Sequence, residues 1–260
     1  MHTSDVVSFT GSTTVGRVVV GDAVTAGLPV QAEMGGLNAA VVLPDADVER
    51  AAATIASSAM GYAGQKCTAT SRVIVVGDDG PFSDALVAAV RELKAGDPDD
   101  EDTAVGPVIS RQARDAVTEA LDRALANGGQ MLTGGKPGDP GWLITPAVVT
   151  GLPPDAALNQ EEVFGPVLSI QRAPDPDTAV QLVNATRYGL VTGLYTGDLA
   201  SALRLVPRFD SGMVKVNGPT TGADFHASFG GEKESGYGPA EQGTPVLDFY
   251  SRHLTATILP

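Results

Sequence analysis

An open α/β fold is expected of this 260-residue chain on three grounds. Short apolar runs alternate with amphipathic stretches, the order of strands and helices in α/β proteins. The chain opens on a strand that runs straight into a glycine turn and a helix. At this length, 43% hydrophobic residues are enough for one large core or two small ones.

The elements follow in order. Val6 to Phe9 reads as a short strand, followed by Gly11-Ser12-Thr13-Thr14-Val15-Gly16 and an apolar helix. Leu28 to Glu33 is a second strand, stopped by Gly35-Gly36, and Ala39 to Leu43 a third. Asp45-Ala46-Asp47 brings an N-cap carboxylate to a helix running through Met60. After Gly64-Gln65-Lys66-Cys67 comes a β-branched strand, Arg72 to Val76. Pro81 to Lys94 fits a helix, and Gly96 to Asp102 an acidic turn. Ser110 caps a helix from Arg111 to Asn127, which Gly128-Gly129 ends. Val163 to Ile170 is a strand after an acidic, proline-bearing loop. Asp175 to Ala185 is helical, Leu190 to Thr196 a strand, Leu199 to Phe209 a helix and Gly212 to Val216 a buried strand. Pro219 to Gly243 is glycine-bearing and aperiodic, a long structured loop of the kind that carries function or an interface. Leu247 to Ile258 alternates as an exposed strand would, and such a strand invites pairing with another subunit. The first strand has nothing before it to pair with, and a lone strand-turn-helix cannot bury both faces of a parallel sheet. The N-terminus therefore reads as the middle of a domain.

Composition removes whole classes of function. With 17 basic and 31 acidic side chains the net charge is −14, and no Lys/Arg cluster gives the electrostatic footprint of nucleic-acid binding. No run reaches the roughly 18 apolar residues of a membrane span. No basic segment followed by an apolar stretch marks a secretory signal. Cys67 is the single cysteine, which excludes an intrachain disulfide and a zinc site built on several thiolates. Three histidines (His2, His226 and His253) argue against a His-rich metal site. The expectation is an acidic, soluble, cytoplasmic protein with no metal, nucleic-acid or membrane partner.

Cys67 lies in the polar segment Gly64-Gln65-Lys66-Cys67-Thr68-Ala69-Thr70-Ser71. Structural cysteines usually sit among apolar residues, whereas reactive ones lie near cations or free N–H groups. Lys66 and the following turn are expected to favour the thiolate; a small buried side chain is the plainer reading. No histidine has a persuasive setting as its base. Glu33 is the better candidate: it ends an apolar strand before Gly35-Gly36, and partial burial there would raise its pKa toward that of a general base. The alternative is a strand-end charge facing water. Gly11-Ser12-Thr13-Thr14-Val15-Gly16 opens a helix and offers N–H groups to phosphate oxygens, or is merely a tight turn. Glu161-Glu162-Val163-Phe164-Gly165-Pro166 places two acids before an aromatic, suited to a ribose diol with a ring beside it, or is a solvated acidic turn.

Together these segments resemble the aldehyde dehydrogenase superfamily. The likeness rests on five motifs in family order: Phe9-Thr10-Gly11-Ser12-Thr13-x-Val15-Gly16, Glu33-Met34-Gly35-Gly36, Gly64-Gln65-Lys66-Cys67, Glu161-Glu162-Val163-Phe164-Gly165-Pro166, and Phe229-Gly230-Gly231-x-Lys233-x-Ser235-Gly236. The resemblance implies an NAD- or NADP-dependent oxidation of an aldehyde to an acid. Cys67 would form a thiohemiacetal and then a thioester, and Glu33 would activate the hydrolytic water. The Cys67 N–H would supply half of an oxyanion hole. Gly11, Ser12 and Gly16 would border the cofactor pyrophosphate, Glu162 the nicotinamide ribose and Phe164 the nicotinamide end. It also implies a division into a remnant of the Rossmann-like cofactor domain (1–33), an open-sheet catalytic domain (34–245) and an oligomerisation strand (246–260). The stretches after Asn217 and Gly236 look most like the α-ketoglutarate semialdehyde dehydrogenases. The resemblance covers the C-terminal half of a family member, so the oxyanion-hole asparagine and the lysine on the adenosine ribose have no counterpart here. Leu37, Thr14 and Ser228 also depart from the usual Lys, acid and Pro.

Partners expected on this reading are a small aldehyde and either further copies of the chain or a separate N-terminal half. Two rival functions belong to other classes. A cofactor-independent thiol esterase needs only Cys67 and Glu33, while a catalytically inactive subunit would act by association through Leu247 to Ile258.

Overall fold

The computed structural model describes residues 4–139 and 141–260; His2 lies outside them. The chain begins with β1 (Val7–Thr10), α1 (Thr13–Thr25) and β2 (Val30–Glu33), with β1 and β2 parallel in the register Val7↔Val30 to Thr10↔Glu33. Ser12 caps α1 by accepting from the Val15 N–H at 3.4 Å. Gly35 and Gly36 then turn the chain into β3 (Asn38–Val42), followed by α2 (Val48–Met60), a 3-10 turn over Gly61–Gly64 and β4 (Thr70–Val76). Asp47, rather than Asp45, caps α2 through the Arg50 N–H at 3.1 Å. Asp45 instead accepts from Thr196 Oγ1 at 2.8 Å and the Gly197 N–H at 2.9 Å.

Next come α3 (Gly80–Glu92), α4 (Arg111–Ala126), β5 (Gln130–Thr133), the small hairpin β6 (Pro137–Gly138) and β7 (Leu143–Ile144), β8 (Ala147–Thr150), α5 (Ala157–Gln160) and β9 (Val167–Ala173). The chain continues through α6 (Pro176–Asn184), β10 (Tyr188–Gly189), β11 (Val191–Tyr195), α7 (Leu199–Leu205), β12 (Met213–Val216), β13 (Glu232–Lys233), β14 (Gly236–Tyr237) and α8 (Val246–Phe249). The main sheet has the order β12-β11-β3-β4-β9-β8-β5, parallel throughout except for β5 against β8. A small sheet, β1-β2-β14, stands beside it.

Alternate residues of the central strands feed opposite faces, as the pleat requires. Ala40, Val42, Val73 and Val75 pack with Ile55, Met60 and Leu86 of α2 and α3. Ala39, Val41, Ile74 and Val76 pack with Val180, Val183 and Leu205 of α6 and α7. Strands covered on both faces are rich in apolar residues, which is why the stretches 39–42 of β3 and 73–76 of β4 are visible in the sequence.

Three expectations need correction, and two strands of the main sheet have no counterpart among the expected elements. The strand expected from Val163 starts at Val167, because residues 163–166 form a turn with Phe164 in the left-handed region (φ 53°). The strand expected to be buried over Gly212 to Val216 is β12, an edge strand paired only with β11, and Val216 is exposed. Strands β5 and β8 were not anticipated; β5 is a half-exposed antiparallel edge with a register shift and carries no clean alternation. Leu247 to Ile258 forms no strand among the described residues: Val246–Phe249 is one helical turn, and 251–260 have no regular secondary structure there. Strand backbone needs a hydrogen-bonded neighbour, and this tail finds none among the described residues. Among the described residues no helix is long and apolar enough to cross a membrane.

Because β3, β4, β9 and β11 are parallel, their N-terminal ends share one edge of the main sheet. The C-terminal ends of β1 and β2 abut that edge through Gly35-Gly36. Asn38, the Cys67 turn, the Glu162 loop and Glu33 are therefore gathered there from distant parts of the chain.

Candidate active site

Cys67 sits in a turn closed by the Ala69 N–H donating to the Lys66 carbonyl at 2.9 Å. The approach to this turn is tightly wound. Tyr62 and Ala63 both lie in the left-handed region (φ 58° and 53°), a costly conformation for residues with a side chain. Gly64 follows at φ +67°, where a Cβ would overlap the Gly165 carbonyl. The thiol is half-buried, and burial, with the Glu162 carboxylate next and Glu33 after it, pushes its pKa up. The N–H groups of Thr68 and of Cys67 itself oppose this. The two N–H groups of the turn oppose the rise without reversing it, so the expected preference for the thiolate is not met by the turn, nor by Lys66, whose ammonium lies over the Tyr62 ring, 5.5 Å from the centroid.

Glu33 is the last residue of β2 and only 4% exposed. Its carbonyl accepts from the Gly11 N–H at 3.0 Å, tying the glycine turn to this strand end. Burial, helped by the nearby Glu241 carboxylate and opposed by the Gly231 N–H, pushes the Glu33 carboxyl up to about 8. Its Oε2 is buried without a hydrogen-bond partner among the described residues. The side chain does not face water at a strand end; it is a carboxylic acid that is largely protonated at neutral pH.

Gly35 and Gly36 are glycines because two groups crowd them. A Cβ at Gly35 would overlap the Glu162 carboxylate, and one at Gly36 would lie 2.8 Å from both the Cys67 carbonyl and Asn38 Oδ1. Glu162 Oε1 accepts from the Gly36 N–H at 3.0 Å. Burial raises the Glu162 pKa, while that N–H and the Arg187 guanidinium hold it down. Phe164, 43% exposed, shares with Gly36, Lys66, Thr70 and Glu162 the wall of one shallow cleft.

Gly11, Ser12 and Gly16 lie across the strand end from this cleft. A Cβ at Gly11 would be 2.6 Å from the Phe9 ring, and one at Gly16 would be 2.5 Å from Met34 Sδ. Close packing of the βαβ unit alone accounts for these two glycines. The Ser12 hydroxyl serves as the helix cap at an exposed N-terminus.

The structure therefore brings Glu33 and Glu162 each within electrostatic range of Cys67, with Phe164 on the wall of the cleft and the Gly11–Gly16 turn joined to Glu33. The residue set suits a nicotinamide dinucleotide. The carboxylate of Glu162 could accept from ribose hydroxyls, Phe164 presents a partly exposed aromatic face, and the exposed N-terminus of α1 suits phosphate. Among the described residues no cluster of three or more His, Cys, Asp or Glu is placed to hold a metal ion.

Two residues of the site escaped the sequence reading. Asn38 is a polar side chain opening an otherwise apolar strand, a signal that was present but unused. Glu241 comes from the long loop, where the Phe229 and Glu241 backbones pair, and nothing local marks it.

Known proteins resemble this chain in sequence and in fold. The model of the aldehyde dehydrogenase family matches residues 2–255. The NADP(+) succinate-semialdehyde dehydrogenase of Mycobacterium avium (strain 104) is 39% identical over 244 residues, 93% of this chain and 52% of that protein. The alpha-ketoglutaric semialdehyde dehydrogenase of Bacillus subtilis (strain 168) is 32% identical over 260 residues, 98% of this chain and 53% of that protein. Among solved structures, a methylmalonate-semialdehyde dehydrogenase from Sinorhizobium meliloti 1021, described as putative and complexed with NAD, superposes with a TM-score of 0.92 at 32% identity. It covers 95% of this chain and 52% of that one. The betaine aldehyde dehydrogenase of Staphylococcus aureus in complex with NAD+ gives 0.90 at 33% identity, covering 95% and 50%. The chain spans about half the length of the relatives it matches. With the family model matched over nearly its whole length and the fold shared, the chain belongs to the aldehyde dehydrogenase family.

Proposed function

We propose that this chain carries the acyl-transfer half of an aldehyde oxidation, with Cys67 as nucleophile and Glu33 as general base. The observation that carries the reading is the pairing of one half-buried thiol with a buried carboxyl whose pKa lies at about 8. A group titrating there accepts a proton near neutrality without being permanently ionised.

The Cys67 sulfur, as thiolate, adds to the aldehyde carbon, and the carbonyl π electrons move to oxygen. The developing oxyanion lies beside the Cys67 N–H, which is a donor where charge appears only in the transition state. A nicotinamide dinucleotide, NAD or NADP, accepts hydride when bound. At the thioester stage Glu33 takes a proton from water, the water oxygen bonds to the acyl carbon and the C–S bond breaks, returning the thiolate. Glu162 would hold the nicotinamide ribose, Phe164 would lie against the ring, and Ser12 with Gly11 and Gly16 would border the pyrophosphate.

The substrate class proposed is a semialdehyde of a short dicarboxylic acid, with α-ketoglutarate semialdehyde favoured by the sequences after Asn217 and Gly236. Further copies of the chain, or a separate N-terminal half, are the proposed protein partners. The test is nicotinamide reduction by the purified chain on α-ketoglutarate and succinate semialdehydes, for wild type and Cys67→Ala. Cys67-dependent reduction is expected. Ester hydrolysis through Cys67 with no nicotinamide reduction would favour thiol esterase action by the isolated chain, and turnover that survives Cys67→Ala would refute the assignment of the nucleophile.

A further inference from the structure

Every donor of one buried side chain is committed to the Cys67 turn. Asn38, 2% exposed, opens β3 among the apolar residues Leu37, Ala39, Ala40 and Val41, all buried. Its Nδ2 donates to the Cys67 carbonyl and to the Ala69 carbonyl, both at 2.7 Å. Its Oδ1 accepts from the Val191 N–H at 3.2 Å. A buried amide is costly unless paired, and here the pairing joins the heads of β3 and β11 to the turn preceding β4.

The consequence appears at the other end of the same peptide unit. In a trans peptide the C=O and N–H point in opposite directions. The Cys67 carbonyl is held by Asn38, so the N–H of that unit, which belongs to Thr68, points away from Asn38. The Thr68 N–H, with that of Cys67, counters what burial and the facing carboxylates of Glu162 and Glu33 do to the thiol, whose pKa is on balance raised. The neighbouring cation, Lys66, is engaged with Tyr62. Backbone donors therefore take the place that a cation holds beside many reactive thiols.

We propose that Asn38 is a positioning residue for Cys67: by holding the Cys67 carbonyl, it aims the Thr68 N–H at the sulfur. The catalytic meaning of this inference rests on Cys67 being the nucleophile, but its test does not. Cys67 is the only cysteine, so the rate of alkylation by iodoacetamide as a function of pH reports this thiol alone. The variants to compare are Asn38→Ala, Asn38→Ser and, as a control, Asp45→Ala. The control removes the hydrogen bonds from Thr196 and Gly197 at the opposite ends of β3 and β11.

A hydrogen bond to a charged group translates into about one pH unit or more. The alkylation midpoint is therefore expected to rise by about one unit in Asn38→Ala, with a roughly tenfold slower rate below the midpoint and equal rates at high pH. Asn38→Ser, with a single donor, is expected to fall between, and Asp45→Ala to match wild type. An unchanged midpoint in folded Asn38→Ala overturns the proposal, as does an equal shift in Asp45→Ala. Where Asn38→Ala does not fold, an unchanged midpoint in Asn38→Ser overturns it. Unchanged midpoints leave the dehydrogenase reading standing, whereas absence of Cys67-dependent aldehyde oxidation removes that reading and leaves the alkylation profiles intact.

Discussion

The carboxylate of Glu162 occupies the space that a side chain on residue 35 would need, and it is fixed there by the Gly36 N–H at 3.0 Å. Two glycines on one segment thus position an acid 126 residues further along the chain. The same pair lets the Cys67 carbonyl approach, so one backbone crossing places both the thiol turn and the carboxylate assigned to the ribose.

Gly35→Ala is expected to expel Glu162 from this seat while leaving the two main cores intact. Calorimetric titration with NAD and NADP, alongside circular dichroism, checks this. Affinity should fall at least tenfold, the loss of one good charge-assisted contact, with the spectrum unchanged. Unchanged affinity in a folded variant would mean that Glu162 does not contact the cofactor.

Glu33 sets a pH dependence of stability. Its carboxyl moves from an ordinary value of 4.5 to about 8 on folding, so the folded state holds a proton that the unfolded state releases. Stability from this group is complete below about pH 4.5 and is lost as pH rises toward 8. Glu33→Gln keeps the shape without the titration. Its Tm should match wild type near pH 4 and exceed it near pH 9 by on the order of 5 °C, after allowing for partial solvation. Parallel Tm curves for the two proteins would show that Glu33 titrates normally.

Arg72 is a buried cation whose hydrogen bonds run to carbonyls: Leu182 at 3.1 Å, Val183 at 3.3 Å and Leu37 at 3.5 Å. Burial lowers its pKa to about 10. It secures the last turn of α6 to the segment just after Gly36. Arg72→Met, of similar length, leaves those carbonyls unpaired and should lower unfolding free energy in urea by on the order of 2–4 kcal/mol. A loss under about 0.5 kcal/mol would mean that the carbonyls find other donors.

What was legible in the sequence follows the physics of each element. Strands β3 and β4, covered on both faces, carry apolar runs over 39–42 and 73–76 that follow a polar start. Ser12, Asp47 and Ser110 mark helix starts because a cap is a local interaction. The polar setting of Cys67 and the Glu33-to-glycine junction are local as well. Edge strand β5 is half-solvated and loses the pattern, β12 is found in the sequence but not its place at the sheet edge, and the tail alternates without a partner among the described residues. Glu241 reaches Glu33 only through the long loop and the Phe229–Glu241 pairing, a tertiary fact no short window contains. Lys66 misled because sequence adjacency to Cys67 does not say where its long side chain points.

The central claim is that Cys67 and Glu33 act on one acyl group. The most direct measurement is intact-mass spectrometry of wild-type chain and Glu33→Gln after a pulse of p-nitrophenyl acetate, followed over time. The account predicts an acetyl group on Cys67 in both, cleared quickly in wild type and retained at least a hundredfold longer in Glu33→Gln, as expected when a general base is lost. No acylation of Cys67, or equal clearance in the two proteins, would contradict it.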